Sequence, residues 1–205
     1  MPETRHRLRT RANSLGVLIP PDAEARLVAY FDLLFRWNAK INLTSLTEPD
    51  TAIDRLLLEP LAAALELPHH LELMDLGSGG GSPAIPLAIA LDARRLVMIE
   101  SKARKTAFLR EAARILELNA VVETARIEAV ADRADYQGQM TAVSIRAVRV
   151  DAATLTAARV FLAPGGHVAL FTTLPALPDD FPDEVLHLTK TCSLPGTAHL
   201  VLLEP

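Results

Sequence analysis

The sequence predicts an α/β protein built on a doubly wound, mostly parallel sheet, and three observations carry that expectation. From His70 onward, short apolar runs alternate with stretches of helical periodicity. The first of those runs is closed by a glycine-rich turn, Gly77-Ser78-Gly79-Gly80-Gly81. The last two runs have no helix between them, which gives an otherwise parallel sheet an antiparallel edge.

Taken in order, the N-terminal third is helical. Pro20-Pro21-Asp22 reads as a helix start capped by Asp22, followed by an apolar stripe of Leu27, Val28, Phe31, Leu34 and Phe35. Trp37–Thr44 breaks the stripe, because Asn and Thr side chains bind their own backbone and favour turns. Asp50 is expected to cap a further helix reaching about Leu65, which Pro60 kinks or divides. Leu71–Leu76 is then the first strand, a helix follows from about Ala84, and Leu96–Ile99 is a second strand ending at Glu100. Arg104–Leu118 is a helix with Phe108, Leu109, Ala112, Ile115 and Leu116 on its buried face. Val121–Thr124 and Thr141–Ile145 are the next strands, leading into Ile127-Glu128 and Arg146. Asp151–Leu162 reads as a helix stopped by Pro164-Gly165-Gly166, and His167–Thr172 as the fifth strand. Val185–Cys192 and His199–Leu203, joined through Pro195-Gly196, complete the sheet.

Right-handed crossovers bring the strand tips to one edge, where ligands bind in doubly wound folds. Gly77–Gly81, Glu100, Ile127-Glu128 and Arg146 all fall at those tips. The glycines allow a tight turn against which a ligand can lie on bare backbone. Glu100, 19 positions after Gly81, is placed to bind two ribose hydroxyls. A dinucleotide fingerprint needs glycine at position 82, where the chain has Ser82. Asp75 and the G-x-G-x-G spacing suit S-adenosylmethionine better, since that cofactor is cationic and has no pyrophosphate. An NAD-dependent oxidoreductase is the weakest alternative. A Gly-rich turn with no nucleotide is the plainer one.

Composition narrows the classes. At 205 residues and half hydrophobic, the chain suits one domain with a small appendage. It has no charge-free apolar run of about 18 residues to cross a membrane. Its single Cys192 and scattered histidines offer no zinc spacing. The expectation is a cytoplasmic protein that holds no metal. A net charge of −4 does not advertise a nucleic-acid binder. Yet Arg5, Arg7, Arg9 and Arg11 cluster at one end, and Lys102, Arg104, Lys105, Arg110 and Arg114 along one helix. Such patches hold phosphates, or are merely a solvated helix face and a loose basic tail. Asp179-Asp180 sits in a Pro-rich loop and reads as solvated surface.

Several of these residues together resemble the bacterial small-subunit (16S) ribosomal RNA guanine-N7 methyltransferase family, also called glucose-inhibited division protein B. The matching motifs are Trp37-Asn38-x-x-Ile41-Asn42-Leu43-Thr44, Asp75-x-Gly77-Ser78-Gly79-Gly80-Gly81 and Ile85-Pro86-Leu87-Ala88-Ile89. Glu100-Ser101 with Lys105 and Phe108-Leu109, Arg126-Ile127-Glu128 and Arg146-Ala147 add to them. The resemblance implies a seven-stranded, Rossmann-like methyltransferase sheet over residues 69–205, with a helical extension over residues 1–68. It implies S-adenosylmethionine as cofactor and small-subunit ribosomal RNA, or the small subunit itself, as partner. It also implies that Gly77 and Ser82 line the cofactor turn, Glu100 binds the ribose, and Ile127-Glu128 frames the adenine. Arg146 matches an arginine at the cofactor and reaction site; the alternative for it is a surface ion pair. The Trp37–Thr44 run is expected to fix the extension against the sheet, with substrate contact second.

The chain departs from the family at Ser82-Pro83-Ala84, at Leu56 with Glu59-Pro60, and at Thr172-Thr173. All three lie on the substrate side. They keep open a paralogue that binds the cofactor without transferring methyl, and a methyltransferase on another substrate. Methylation at N7 needs no general base, because that nitrogen carries a free in-plane lone pair. No catalytic residue is therefore required, and Arg146 is expected to bind or position. Lys102, Arg104, Lys105 and the N-terminal arginines are the candidates for holding RNA phosphates.

Overall fold

The computed structural model describes residues 2–174, 177, 181 and 184–205; Asp179-Asp180 lies outside them. Five parallel strands, β1 (Glu72–Leu76), β2 (Arg95–Ile99), β3 (Ala120–Glu123), β4 (Met140–Arg146) and β5 (Leu162–Thr172), form most of one sheet. β6 (His187–Ser193) and β7 (His199–Glu204) complete it, with β7 antiparallel to both β5 and β6. The order β3-β2-β1-β4-β5-β7-β6 places a topological switch point between β1 and β4, so the tips of these two strands flank a crevice. The doubly wound sheet and its antiparallel edge agree with the sequence reading.

Alternation along the strands splits the core into two layers. Leu73, Leu96, Met98, Ala142, Phe171, Leu200 and Leu202 face one side, under α5 (Ala84–Leu91) and α6 (Ala103–Ile115). Met74, Leu76, Val97, Ile99, Val143, Ile145 and Val168 face the other, under α7 (Ile127–Ala131) and α8 (Ala152–Phe161). The first layer is continuous with the helical extension: α1 (Pro2–Leu15), α2 (Glu24–Asn38), α3 (Pro49–Ile53) and α4 (Glu59–Ala64) share its cluster.

Local chemistry corrects several expectations. Asp22 caps nothing; the residue before α2 is Ala23, without a side-chain bond. Asp50 does not cap either. Glu48 accepts from the N–H groups of Asp50 and Thr51, because Pro49 takes the first helical position and shifts the cap back. The helix beyond it is divided, as Pro60 requires, by a π-turn at Asp54–Leu58. Pro164-Gly165-Gly166 stops no helix. α8 ends at Phe161, and β5 starts at once, with the Pro-Gly-Gly bulging between its pairings with Met140 and Ala142. Ile115, expected on the buried face of α6, is exposed, whereas Leu116 is buried.

The extension seats directly on the glycine turn. Tyr30, fully buried, donates its hydroxyl to the Gly80 carbonyl at 2.6 Å. A Cβ at Gly80 would stand 3.1 Å from both Leu34 Cδ1 and the Leu43 carbonyl, so glycine lets the extension approach this closely. Asn38 Oδ1 accepts from the amides of Leu43 and Thr44 at 2.8 and 3.0 Å, folding the loop after α2. Trp37 meets Phe108 of α6 edge-on, with centroids 5.9 Å apart. The Trp37–Thr44 run therefore fixes the extension to the sheet. Replacing Tyr30 with Phe keeps the packing and leaves the Gly80 carbonyl without its donor. We expect a stability loss of about 1–3 kcal/mol, read from the urea midpoint; an unchanged midpoint would remove this bond from the seating.

Candidate active site at the strand tips

The turn after β1 is held by the neighbouring strand. Gly77 and Ser78 both donate to the Ile99 carbonyl at 2.9 Å, and Gly81 donates to Ser78 at 2.6 Å. Gly77, Gly79 and Gly81 adopt positive φ, which only glycine takes without strain. Glu100 follows β2 and is buried, its Oε2 accepting from Gly79 N–H at 3.1 Å and its Oε1 from Lys102 N–H at 2.8 Å. Each oxygen keeps lone-pair capacity. Four amides of the turn are thus spent on protein oxygens, which suits a ribose-bearing ligand better than a pyrophosphate.

Asp75 lies beneath this turn, 1% exposed, and its carboxylate accepts from Ser144 Oγ at 2.6 Å. Burial pushes its carboxyl above the usual range, while bonds from Ser144 and Ser78 work the other way. Ile127, half-buried, and Glu128, exposed, open α7 just past the tip of β3. The site residues from β1, β2, β3 and β4 therefore converge on one edge of the sheet.

Arg146 is not on the surface. Its side chain is 13% exposed, and it donates to the Arg55 carbonyl at 2.7 Å and to Ser82 Oγ at 2.6 Å. Ser82 in turn donates to the Leu56 carbonyl at 2.7 Å. The Leu56 carbonyl is free because Pro60, four residues on, has no N–H to give it, and the Arg55 carbonyl because the Glu59 N–H goes to the Asp54 carbonyl in the π-turn. The guanidinium lies 3.6 Å from Glu59, itself 2% exposed and 3.0 Å from Arg55. Arg146 thus ties β4, the glycine turn and the extension together. Beyond it, the chain turns through Ala147 at φ 56° and brings Val148 against Gly77, where a Cβ would meet Val148 Cγ2 at 2.5 Å.

A cavity of about 740 Å³ opens from this cluster, lined among others by Arg55, Glu59, Arg146, Phe171, Thr172 and Thr173. The sequence departures Glu59 and Thr172-Thr173 thus share one wall. In the sequence Glu59 stands out as a departure from the family, and Arg55 only as a charge four residues before it. Their junction with Arg146 needed the fold. The basic groups divide. Arg5 and Arg9 pair with Glu24, Arg7 with Asp50 and Arg11 with Asp54, so the N-terminal arginines serve α1 rather than forming a loose tail. Lys102, Arg104 and Lys105 stand at the start of α6 beside the glycine turn. Among the described residues no group of three or more His, Cys, Asp or Glu could hold a metal ion, and no helix is long and apolar enough to cross a membrane.

Burial pushes the Glu59 carboxyl up to about 7 from 4.5, with Arg55 and Arg146 opposing. The folded chain then binds this proton more tightly than the unfolded chain, so stability declines as pH rises from about 4.5 to 7 and levels above. Relative to Glu59→Gln, the wild-type denaturation midpoint should fall across that window, by up to about 3 kcal/mol in stability. Parallel profiles for the two proteins would refute the raised value.

The family model for rRNA small subunit methyltransferase G (GidB) matches residues 23–176. The ribosomal RNA small subunit methyltransferase G of Pseudomonas paraeruginosa is 33% identical over 210 residues, covering 98% of this chain and 96% of that protein. The protein of the same name from Neisseria gonorrhoeae is 40% identical over 135 residues, 65% of each chain. Among solved structures, a SAM-dependent methyltransferase from Aquifex aeolicus aligns with TM-score 0.60 at 12% identity, over 78% of this chain and 95% of that one. Aeropyrum pernix fibrillarin, with S-adenosylmethionine natively bound, aligns with TM-score 0.55 at 15% identity, over 70% of this chain and 73% of that one. These two likenesses are of fold. The family match and a relative aligned over nearly its whole length lead to one conclusion: the chain belongs to the rRNA small subunit methyltransferase G family of SAM-dependent methyltransferases.

Proposed function

We propose that this protein transfers the methyl group of S-adenosylmethionine to N7 of a guanine in small-subunit ribosomal RNA. The observation that carries the reading is the Arg146–Ser82 link. On one side of it lies the glycine turn with Glu100, and on the other the 740 Å³ cavity. The cofactor supplies, when bound, an electrophilic methyl on a cationic sulfur.

Everything else falls to the chain. Glu100 accepts the two ribose hydroxyls on its remaining lone pairs, and Ile127 with Glu128 frames the adenine. Gly77, Gly79 and Gly81 leave bare backbone for the amino-acid end, and Asp75 braces the turn from beneath through Ser78 and is tied to β4 through Ser144. Ser82 and Arg146 mark the border between cofactor and base. Because N7 presents its lone pair at neutral pH, no residue needs to remove a proton. The protein's task is to hold nucleophile, methyl and sulfur in line and to keep water out. Arg146 is a positioning residue, and Glu59 offsets its buried charge. In this reading residues 69–205 form the methyltransferase domain and residues 1–68 the extension that completes its cavity. The partner is the RNA or the assembled small subunit, in the cytoplasm.

The test is transfer of labelled methyl to small subunits, and to their naked RNA, from cells lacking the modification. Label released by N7-specific cleavage at one guanine is the expected result. Tight cofactor binding without transfer would refute the activity and leave a binding protein. Glu100→Ala should weaken S-adenosylmethionine about 100-fold in calorimetry, the loss of two hydrogen bonds to a charged group at roughly 1.5 kcal/mol each. Unchanged affinity would remove Glu100 from the site.

A further inference from the structure

Two segments far apart in the sequence bring four cations into one hollow. Lys40, Ile41 and Asn42, in the loop after α2, meet Lys102, Arg104 and Lys105, at the start of α6, around a recess of about 280 Å³. The recess adjoins the glycine turn: Lys105 Nζ stands 4.0 Å from where a Cβ on Gly79 would lie. Among the described residues, none of the four cations has an ion-pair partner. The N-terminal arginines behave oppositely, each taken up by a carboxylate.

The contrast has a physical meaning. Like charges closer than a Debye length of about 8 Å repel, and a chain with net charge −4 has carboxylates to spare for neutralising them. None pairs with these four; the nearby Glu100 carboxylate accepts instead from the backbone amides of Gly79 and Lys102. Four cations without an ion-pair partner in a concave wall raise the local potential and concentrate anions. Lysines and arginine hold phosphate oxygens through charge-assisted bonds, and the Asn42 amide adds a neutral donor.

We propose that this recess holds RNA phosphates flanking the target guanine. The inference rests on the function proposed above and assigns the surface by which the substrate is held. The strand order gives it a direction. The recess lies at the tip of β2 and the cavity at the tips of β4 and β5, with the glycine turn after β1 between them. A strand bound in the recess and continuing into the cavity passes the position where the methyl is presented.

The test uses the full chain and naked small-subunit RNA from cells lacking the modification, with affinity measured between about 50 and 300 mM salt. Lys40→Ala and Arg104→Ala, both exposed, are compared singly and combined, with Arg94→Ala, an exposed residue just before β2, as the control. Each recess variant should lower the slope of log affinity against log salt by about 0.7, and the pair by roughly 1.5. Arg94→Ala should leave the slope alone. Calorimetry with S-adenosylmethionine should be unchanged in all four, which separates a lost phosphate contact from a damaged fold.

A wild-type slope in the double variant, with methyl transfer intact, would overturn the recess and leave the proposed function standing. The reverse result, a reduced slope in the variants of a chain that transfers no methyl, would support the recess and sink the methylation. Loss of binding to assembled subunits alone, with naked RNA unaffected, would move the contact to a ribosomal protein and overturn the proposal.

Discussion

Proline at position 60 sets a condition that the rest of the site answers. It has no N–H, so the Leu56 carbonyl loses its helical partner, and in the π-turn before it the Glu59 N–H goes to the Asp54 carbonyl and leaves the Arg55 carbonyl open as well. Buried carbonyls do not stay unpaired cheaply. Here Arg146 takes one and Ser82 the other, and the two donors are bonded to each other. A gap in one helix thereby fixes the tip of β4 and the end of the glycine turn against the extension. The 740 Å³ cavity opens where these three meet.

The same junction carries buried charge. Arg146 would be costly in the interior alone, and Glu59 compensates it while being held by Arg55. Burial opposes ionisation of both Glu59 and Arg146, and each favours the charged form of the other. Small-residue contacts do comparable work nearby. Gly80 lets Leu34 and the Leu43 carbonyl approach the turn, and Gly77 makes room for Val148. The extension is thus an integral wall of the site rather than an appendage hung on the sheet.

Much of this was legible from residues. The alternation of β-runs and helical stripes is a local pattern, so most strands and helices stand within a residue or two of expectation. However, β5 starts five residues before His167, α6 ends three before Leu118, and α1 has no counterpart in the sequence reading. The glycine turn and Glu100 were legible because positive φ and a strand-tip carboxylate leave distinct local signatures. Helix caps were less so. Asp22 and Asp50 have the right chemistry for caps, but Ala23 precedes α2, and Pro49 moves the cap of α3 to Glu48. Pro164-Gly165-Gly166 carries a stop signal that the sheet reuses as a bulge, because pairing with β4 outweighs the turn propensity. Of the two readings of the N-terminal arginines, phosphate holders or a loose basic tail, the loose tail fails for an electrostatic reason. Whether an arginine is free depends on which carboxylate the fold sets beside it.

The sequence by itself determined the doubly wound sheet, the turn at its switch point and the kind of ligand that turn suits. These follow from periodicity and backbone freedom, which act over a few residues. Tertiary structure alone decided which charges are neighbours. It joined Arg55, Glu59 and Arg146, spent the N-terminal arginines on carboxylates and left Lys40 beside Lys102, Arg104 and Lys105 without one. Coulomb interactions depend on distance through space, and distances across the chain exist only once the core has closed.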